Sequence, residues 1–343
     1  MNRHISKIIT AMRFPTCVMV VFAHSTLSVN MEGINSSVGS VYSLIHNLIS
    51  YGLCASLVPL FFLISGYLYF KGFELHYGWN DYIEKNRRRV RTLVVPYLLW
   101  NFLTLLLFWV VQSLMPNMTS GNYTLIADYS IKDWLLAFWN VDEGFPIDGP
   151  MWFIRDLIII SAISIVIHPL VKNKVIGLLI IALSLIMGII GGYFIVGAWL
   201  GVHGIDFVKY CKRAWLISTI GYFVLVVINL ALEGTIHNII EDIHIFMGVV
   251  AITGLLGSIY EKRELGRNML FLSGTYFFIY ACHQYPLLML CKLWKKVMPA
   301  SDVLDIAGYF VLPILIICII IFVYRTMQRI APSVLAALTG GRS

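Results

Sequence analysis

The sequence predicts an all-α protein: a polytopic bundle of about ten transmembrane helices with both termini in the cytoplasm. Three observations predict it. Hydrophobic residues make up 59% of the 343 positions and charged residues only 13%, about half the ~25% charge of soluble domains. The apolar residues gather in runs close to the ~20 residues that cross a bilayer. The basic residues gather between alternate runs, as the positive-inside rule requires.

The runs fall at 8–29, 46–70, 92–115, 151–169, 175–191, 193–208, 214–232, 243–260, 269–291 and 306–325. The first carries Arg13 and His24 inside an apolar stretch. The second ends FFLISGYLYF, with Ser65 and Gly66 in an aromatic run. The third follows KNRRRVR, which closes a cytoplasmic loop at 71–91. The fourth opens GPMWFIRDL after an external loop at 116–150. The sixth contains Gly201, His203, Gly204 and Asp206 and is expected to be short, broken or partly re-entrant. An acidic external turn at 233–242, with His237, precedes the eighth. The ninth opens SGTYFFIYACHQYP.

Placing the N-terminus inside puts nineteen of the 25 Lys and Arg residues in cytoplasmic segments. Only Lys132, Lys292, Lys295 and Lys296 lie outside, and Arg13 and Arg155 sit in or at the edge of spans. An even number of spans follows, in a single integral-membrane domain over 1–343. The net charge of +7 is thereby a matter of topology, and no nucleic-acid partner is expected. The six cysteines lie mostly within apolar runs and show no metal-ligand spacing, so neither a disulfide framework nor a metal is expected. The first run is full length with no small-residue cleavage site after it, which argues against a cleaved signal. The external loop carries Trp134, Trp139, Asp142, Glu143 and Asp148; aromatics at this density pack, so a folded loop is expected.

Several residues carry candidate chemistry. Arg13 and His24 are eleven residues apart, about three turns and roughly 16 Å along one helix face. An arginine within an apolar helix costs about 2.5 kcal/mol or more and is usually functional or paired. The plain alternative is that Arg13 snorkels to the headgroups while His24 sits at the interface. A neutral histidine can act as a base on a hydroxyl, and a guanidinium fork suits a carboxylate, phosphate or carbonyl oxygen. Arg88 and Arg91 are three apart, hence on one face of a helix, and suit a polyanion; anchoring to anionic lipid is the alternative. Gly66 permits close approach of a helix or a ligand. Arg155 and Asp156 are adjacent, so they are expected to point to different faces, not to pair, and to mark a polar cavity. Tyr276, Tyr280 and His283 are four and three apart and form one polar stripe on an aromatic helix.

These motifs together resemble the acyltransferase 3 family of bacterial inner-membrane acyltransferases. The resemblance spans essentially the whole chain. It rests on arginine, ten residues, histidine in RFPTCVMVVFAH; on FFLISGYL; on R-x-x-R at Arg88 and Arg91 followed by Pro96-Tyr97; on WFIRDL; and on IYACH. It implies an acyl relay. An acyl-coenzyme A donor, acetyl by family frequency, docks from the cytoplasm near Arg88, Arg91 and Ser65. A hydroxyl of an extracytoplasmic glycan or lipid-linked sugar accepts the acyl group. His24 serves as base or transient acyl carrier, and Arg13 positions the donor. Trp139, Trp152, Arg155, Asp156, Tyr280 and His283 are the expected acceptor-side residues. Coenzyme A carries several charges and does not cross lipid cheaply, so a cytoplasmic arginine cluster and an outer-side histidine suit the task. The competing reading is a transporter or flippase for a lipid-linked sugar, which needs neither an acyl donor nor His24; the lack of an internal repeat weighs against it.

Overall fold

The computed structural model of the chain describes residues 3–27, 40–73, 76–114, 124–140, 144–232 and 234–342, and these are helical with no strand among them. The helices run α1 (Arg3–Ala23), α2 (Val41–His46), α3 (Leu57–Phe70), α4 (Trp79–Arg89), α5 (Val95–Leu114), α6 (Ile131–Phe138), α7 (Trp152–Ala162), α8 (Ser164–Lys172) and α9 (Lys174–Ile186). They continue with α10 (Gly192–Val202), α11 (Phe207–Leu230), α12 (Gly234–Tyr260), α13 (Arg263–Leu272), α14 (Tyr276–Cys282), α15 (Gln284–Val297), α16 (Asp302–Ile330) and α17 (Pro332–Thr339). The chain divides into two compact units, Met1–Tyr82 with Ile163–Val323, and Ile83–Ala162 with Tyr324–Ser343.

Among the described residues, six helical segments are long and apolar enough to cross a membrane: His4–Ala23, Val41–Phe70, Trp79–Leu114, Phe207–Leu230, His237–Tyr260 and Asp302–Ile330. A seventh arises if Gly149–Ala162 and Ser164–Lys172 count as one broken span. The ten full-length spans expected from hydropathy are therefore not all present as single helices. The fifth and sixth runs become helices of only 13 and 11 residues, α9 and α10, some 20 and 17 Å long at about 1.5 Å per residue, against a hydrocarbon core of ~30 Å. Gly188, at φ +64°, turns the chain between them. The ninth run is divided into α13, a 3₁₀ turn at Ser273–Thr275, α14 and α15.

The divisions of the ninth run have local causes. Pro286 has no N–H to donate, and its ring opposes the carbonyl four residues back, that of Cys282, so the helix stops there and restarts past His283. The carbonyls near the 3₁₀ turn are taken by side chains: Ser273 Oγ donates to Leu270 O at 2.7 Å and Thr275 Oγ1 to Leu272 O at 2.7 Å.

Two expected loops are largely helical. Within the 71–91 segment, Trp79–Arg89 forms α4, which passes through a π-helical stretch, Val90–Val94, into α5. Residues 234–242 of the expected external turn form the beginning of α12. The described part of the external loop is folded, as its aromatics predict. Ser130 caps α6 with a reciprocal capping box, Asp133 N–H donating to Ser130 Oγ and Ser130 N–H to Asp133 Oδ2 at 2.9 Å. Asp142 and Glu143 lie outside the described residues.

In the first unit, α3 and α10 meet backbone to backbone. A Cβ on Gly66 would stand 2.0 Å from Phe194 O, and one on Gly197 would stand 1.9 Å from Leu63 O. The aromatic-Ser-Gly segment thus owes its glycine to helix packing, the small-residue contact that membrane helices use in place of a hydrophobic driving force. Gly197→Ala is expected to destabilise the protein by about 1–3 kcal/mol or more through overpacking against an immovable carbonyl. Gly221→Ala would meet only the mobile end of Met247, at 3.1 Å, and should be near neutral. Thermal unfolding of the two variants in matched detergent checks this; equal melting temperatures would contradict the close α3–α10 contact.

Candidate functional site

In the first unit the polar stripe of α1 faces the polar stripe of α14. The Arg13 guanidinium lies 5.3 Å from the centre of the Tyr276 ring, a cation–π distance. One turn on, Cys17 Sγ donates to Tyr276 O at 3.2 Å. At the far end the His24 and His283 rings sit edge to face, with centroids 5.0 Å apart and planes at 75°. Tyr280 lies beside His283, with ring centroids 6.4 Å apart. Arg13 is half-buried and makes no ion pair among the described residues. His24 is exposed, just past the end of α1, whereas His283 is wholly buried.

The hydrogen bonds assign both tautomers. His24 Nδ1 is 2.9 Å from Val20 O, and a carbonyl can only accept, so Nδ1 carries the proton and Nε2 of the neutral ring presents a lone pair. His283 is held the same way, with Nδ1 donating to Tyr280 O at 2.8 Å and shared with Ile279 O at 3.2 Å. Its Nε2 is buried with no hydrogen-bond partner among the described residues. Two adjacent imidazoles thus each present an unprotonated Nε2, one accessible and one enclosed. Such a pair can take up a hydroxyl proton.

Three residues beside this pair were not singled out in the sequence. Ser50 Oγ donates to Phe22 O at 3.3 Å, at the end of α1, and is 3.0 Å from Tyr309 Oη. Tyr309 lies 5.8 Å, centroid to centroid, from buried His46. The four-residue spacing of His46 and Ser50 was the available signal; Tyr309, beside Phe310 at the start of an apolar run, gave none. Ser65 is half-buried in α3, next to Gly66, and no hydrogen bond among the described residues ties it to the α1–α14 face.

The other expected site residues belong to the second unit. Arg88 forms an ion pair with Glu84 one turn earlier, and both are exposed. Arg91 is also exposed and falls in the π-helical stretch, whose wider winding alters the one-face relation expected of it and Arg88. Arg155 and Asp156 pair, contrary to expectation: Arg155 Nε donates to Asp156 Oδ1 at 2.9 Å. Neighbouring side chains diverge on a helix, but the long arginine stem spans the gap. Its Nη1 donates to Gly144 O at 2.6 Å, and its guanidinium lies 5.6 Å from the Trp139 ring centre. Arg155 therefore fastens the external loop to the start of α7. Trp152 is half-buried and meets Phe145 edge-on at 6.5 Å.

Beneath that loop lies Asp148, which was not among the expected site residues. Its backbone N–H donates to Asn101 Oδ1 at 3.1 Å, while its Oδ2 is buried without a hydrogen-bond partner among the described residues. Burial raises its pKa to about 8.

A multi-pass helical membrane protein with a histidine pair at the end of a polar helix face is the class that fold and site define. Within that class the chain belongs to the acyltransferase 3 family, whose acyltransferase-domain model matches residues 7–325. It is also similar to the succinoglycan biosynthesis protein ExoH of Rhizobium meliloti (strain 1021), at 25% identity over 302 residues, covering 83% of this chain and 79% of the relative. No solved structure matches the chain. The protein is a membrane acyltransferase.

The raised pKa of Asp148 has a signed consequence. Between its ordinary value of 3.8 and about 8, the unfolded chain releases the proton that the folded chain keeps, so stability falls as pH rises through that window and levels above it. Asp148→Asn mimics the protonated form and should gain melting temperature relative to wild type from pH 4.5 to pH 8, within that window. Parallel curves for the two proteins would show that Asp148 is ionised in the fold.

Proposed function

We propose that the protein moves an acyl group, acetyl in the first instance, from cytoplasmic acyl-coenzyme A to a hydroxyl of an extracytoplasmic glycan or lipid-linked sugar. The observation that carries this reading is the pairing of accessible His24 with buried His283 at the end of the helix that bears Arg13. The relative's name, which places it in succinoglycan biosynthesis, supports a polysaccharide acceptor. The distribution of Lys and Arg supports a cytoplasmic membrane with both chain ends inside.

In this reading, His24 Nε2 takes the proton of the acceptor hydroxyl as its oxygen attacks the thioester carbonyl. The C–S bond breaks, and the departing thiolate takes the proton back from His24, releasing free coenzyme A. If His24 instead carries the acyl group, the same Nε2 attacks the thioester carbonyl and forms the N–acyl bond as the C–S bond breaks and the thiolate leaves; the acceptor oxygen then attacks that carbonyl, the N–C bond breaks, and the hydroxyl proton passes to the thiolate to give free coenzyme A. Arg13, roughly 16 Å along α1 from His24, is too far away to stabilise the carbonyl oxygen that His24 serves. It is a positioning residue for the donor. Trp139 and Trp152 offer ring faces to a sugar.

Transfer of label from acetyl-coenzyme A by purified protein in nanodiscs, with a glycan acceptor supplied, tests the proposal. His24→Ala should slow turnover by about 10²–10⁴-fold, the usual contribution of a general base. Arg13→Ala should act chiefly on the donor KM. Turnover by His24→Ala at the wild-type rate would remove the proposed chemistry. No transfer by wild type from acetyl- or succinyl-coenzyme A would favour transport.

A further inference from the structure

The N-terminal end of α1 borders a hollow of about 380 Å³ that none of the residues discussed so far explains. Its floor is apolar, made by Ile5, Ile8 and Val208, which are buried. Its rim is charged. Lys209, Lys212 and Arg213 come from the first two turns of α11, with Asp206, Glu261 and His4 beside them. Both carboxylates have partners. Asp206 Oδ1 accepts the Lys209 backbone N–H at 3.0 Å and so caps α11, while Glu261 takes the Lys212 ammonium and lies 3.9 Å from His4 Nε2. Lys209 and Arg213, four apart and exposed, have no ion-pair partner among the described residues.

We infer that this hollow holds the phosphate groups of the acyl-coenzyme A donor, through Lys209 and Arg213. The inference rests on the donor reading proposed above. Two unmatched cations one helical turn apart, over an apolar floor, suit a ligand that joins phosphates to an apolar body. The hollow also lies on the helix that leads to the site. Ile8 precedes Arg13 by five residues and His24 by sixteen, about 8 and 24 Å along α1. Ile8 and Arg13 lie about 140° apart around α1, so a donor anchored here by its phosphates would pass round that helix to bring its thioester arm to the Arg13 face. The cytoplasmic side expected for Lys209 and Arg213 is the side on which acyl-coenzyme A is found.

Binding of labelled coenzyme A to the full-length protein in phosphatidylcholine nanodiscs tests the inference, with pantetheine, which has no phosphate, as the second probe. Lys209→Gln/Arg213→Gln should weaken coenzyme A binding by at least about tenfold and leave the pantetheine affinity near wild type. Lys292→Gln/Lys296→Gln, which removes equal charge elsewhere, should bind coenzyme A like wild type. If wild type and Lys209→Gln/Arg213→Gln bind coenzyme A alike and differ only in retention on phosphatidylglycerol vesicles, or in nothing, the inference is overturned and the donor reading stands. If wild type itself binds no coenzyme A, both fall.

Discussion

Backbone inside a bilayer has no water to bond to, so a helix can be broken there only where protein covers the break. The region from α13 to α15 shows how this chain meets that constraint. Pro286 and the Ser273–Thr275 turn interrupt what hydropathy presents as one span. The carbonyls near these interruptions are taken up by Ser273, Thr275, Cys17 and His283. Cys17 comes from α1, so the helix that carries Arg13 and His24 is also a cover for the broken segment. The break places His283 at a helix junction, beside the end of α1, where two imidazoles can meet.

The rest of the first unit is consistent with a rigid frame around that junction. Gly66 and Gly197 let α3 and α10 touch through their backbones, which leaves no room for adjustment at the contact. Tyr69 Oη and Tyr77 Oη share the Ser164 hydroxyl at 2.8 and 3.0 Å, tying α3 to α8 by buried hydrogen bonds. A site built on helices held this way keeps its geometry better than one on loops. In the proposed reaction the length of α1 separates two tasks: donor positioning toward its N-terminal end and proton transfer at its C-terminal end.

Much of this was legible in the sequence. The Arg13–His24 spacing and the Tyr276–His283 stripe each define a face, because helical periodicity fixes which residues align; that the two faces meet is tertiary information. The ten apolar runs do not each become one long helix, because hydropathy registers apolar composition and not continuity. Gly188 and Pro286 are helix-breaking residue types, yet nothing local says that the short pieces are tolerated. The Arg155–Asp156 pair was missed because a helical-wheel argument places Cβ atoms, whereas a guanidinium travels on a long stem. Asp148 was missed as a site because burial of a loop carboxylate depends on how Asn101 and the external loop close over it. Lys209 and Arg213 looked like topology charges until the fold set them on the rim of a hollow.

The edge-to-face contact of His24 with His283 predicts that the two histidines act as one unit in the proposed transfer. A double-mutant cycle on acyl-transfer rate, with His24→Gln, His283→Gln and the pair combined, measures it directly. Contacting residues that share a task should show a coupling energy of about 1 kcal/mol or more, with the double variant little worse than His24→Gln alone. Losses that add to within about 0.5 kcal/mol would contradict it, and would mean that His283 stands beside the chemistry without taking part.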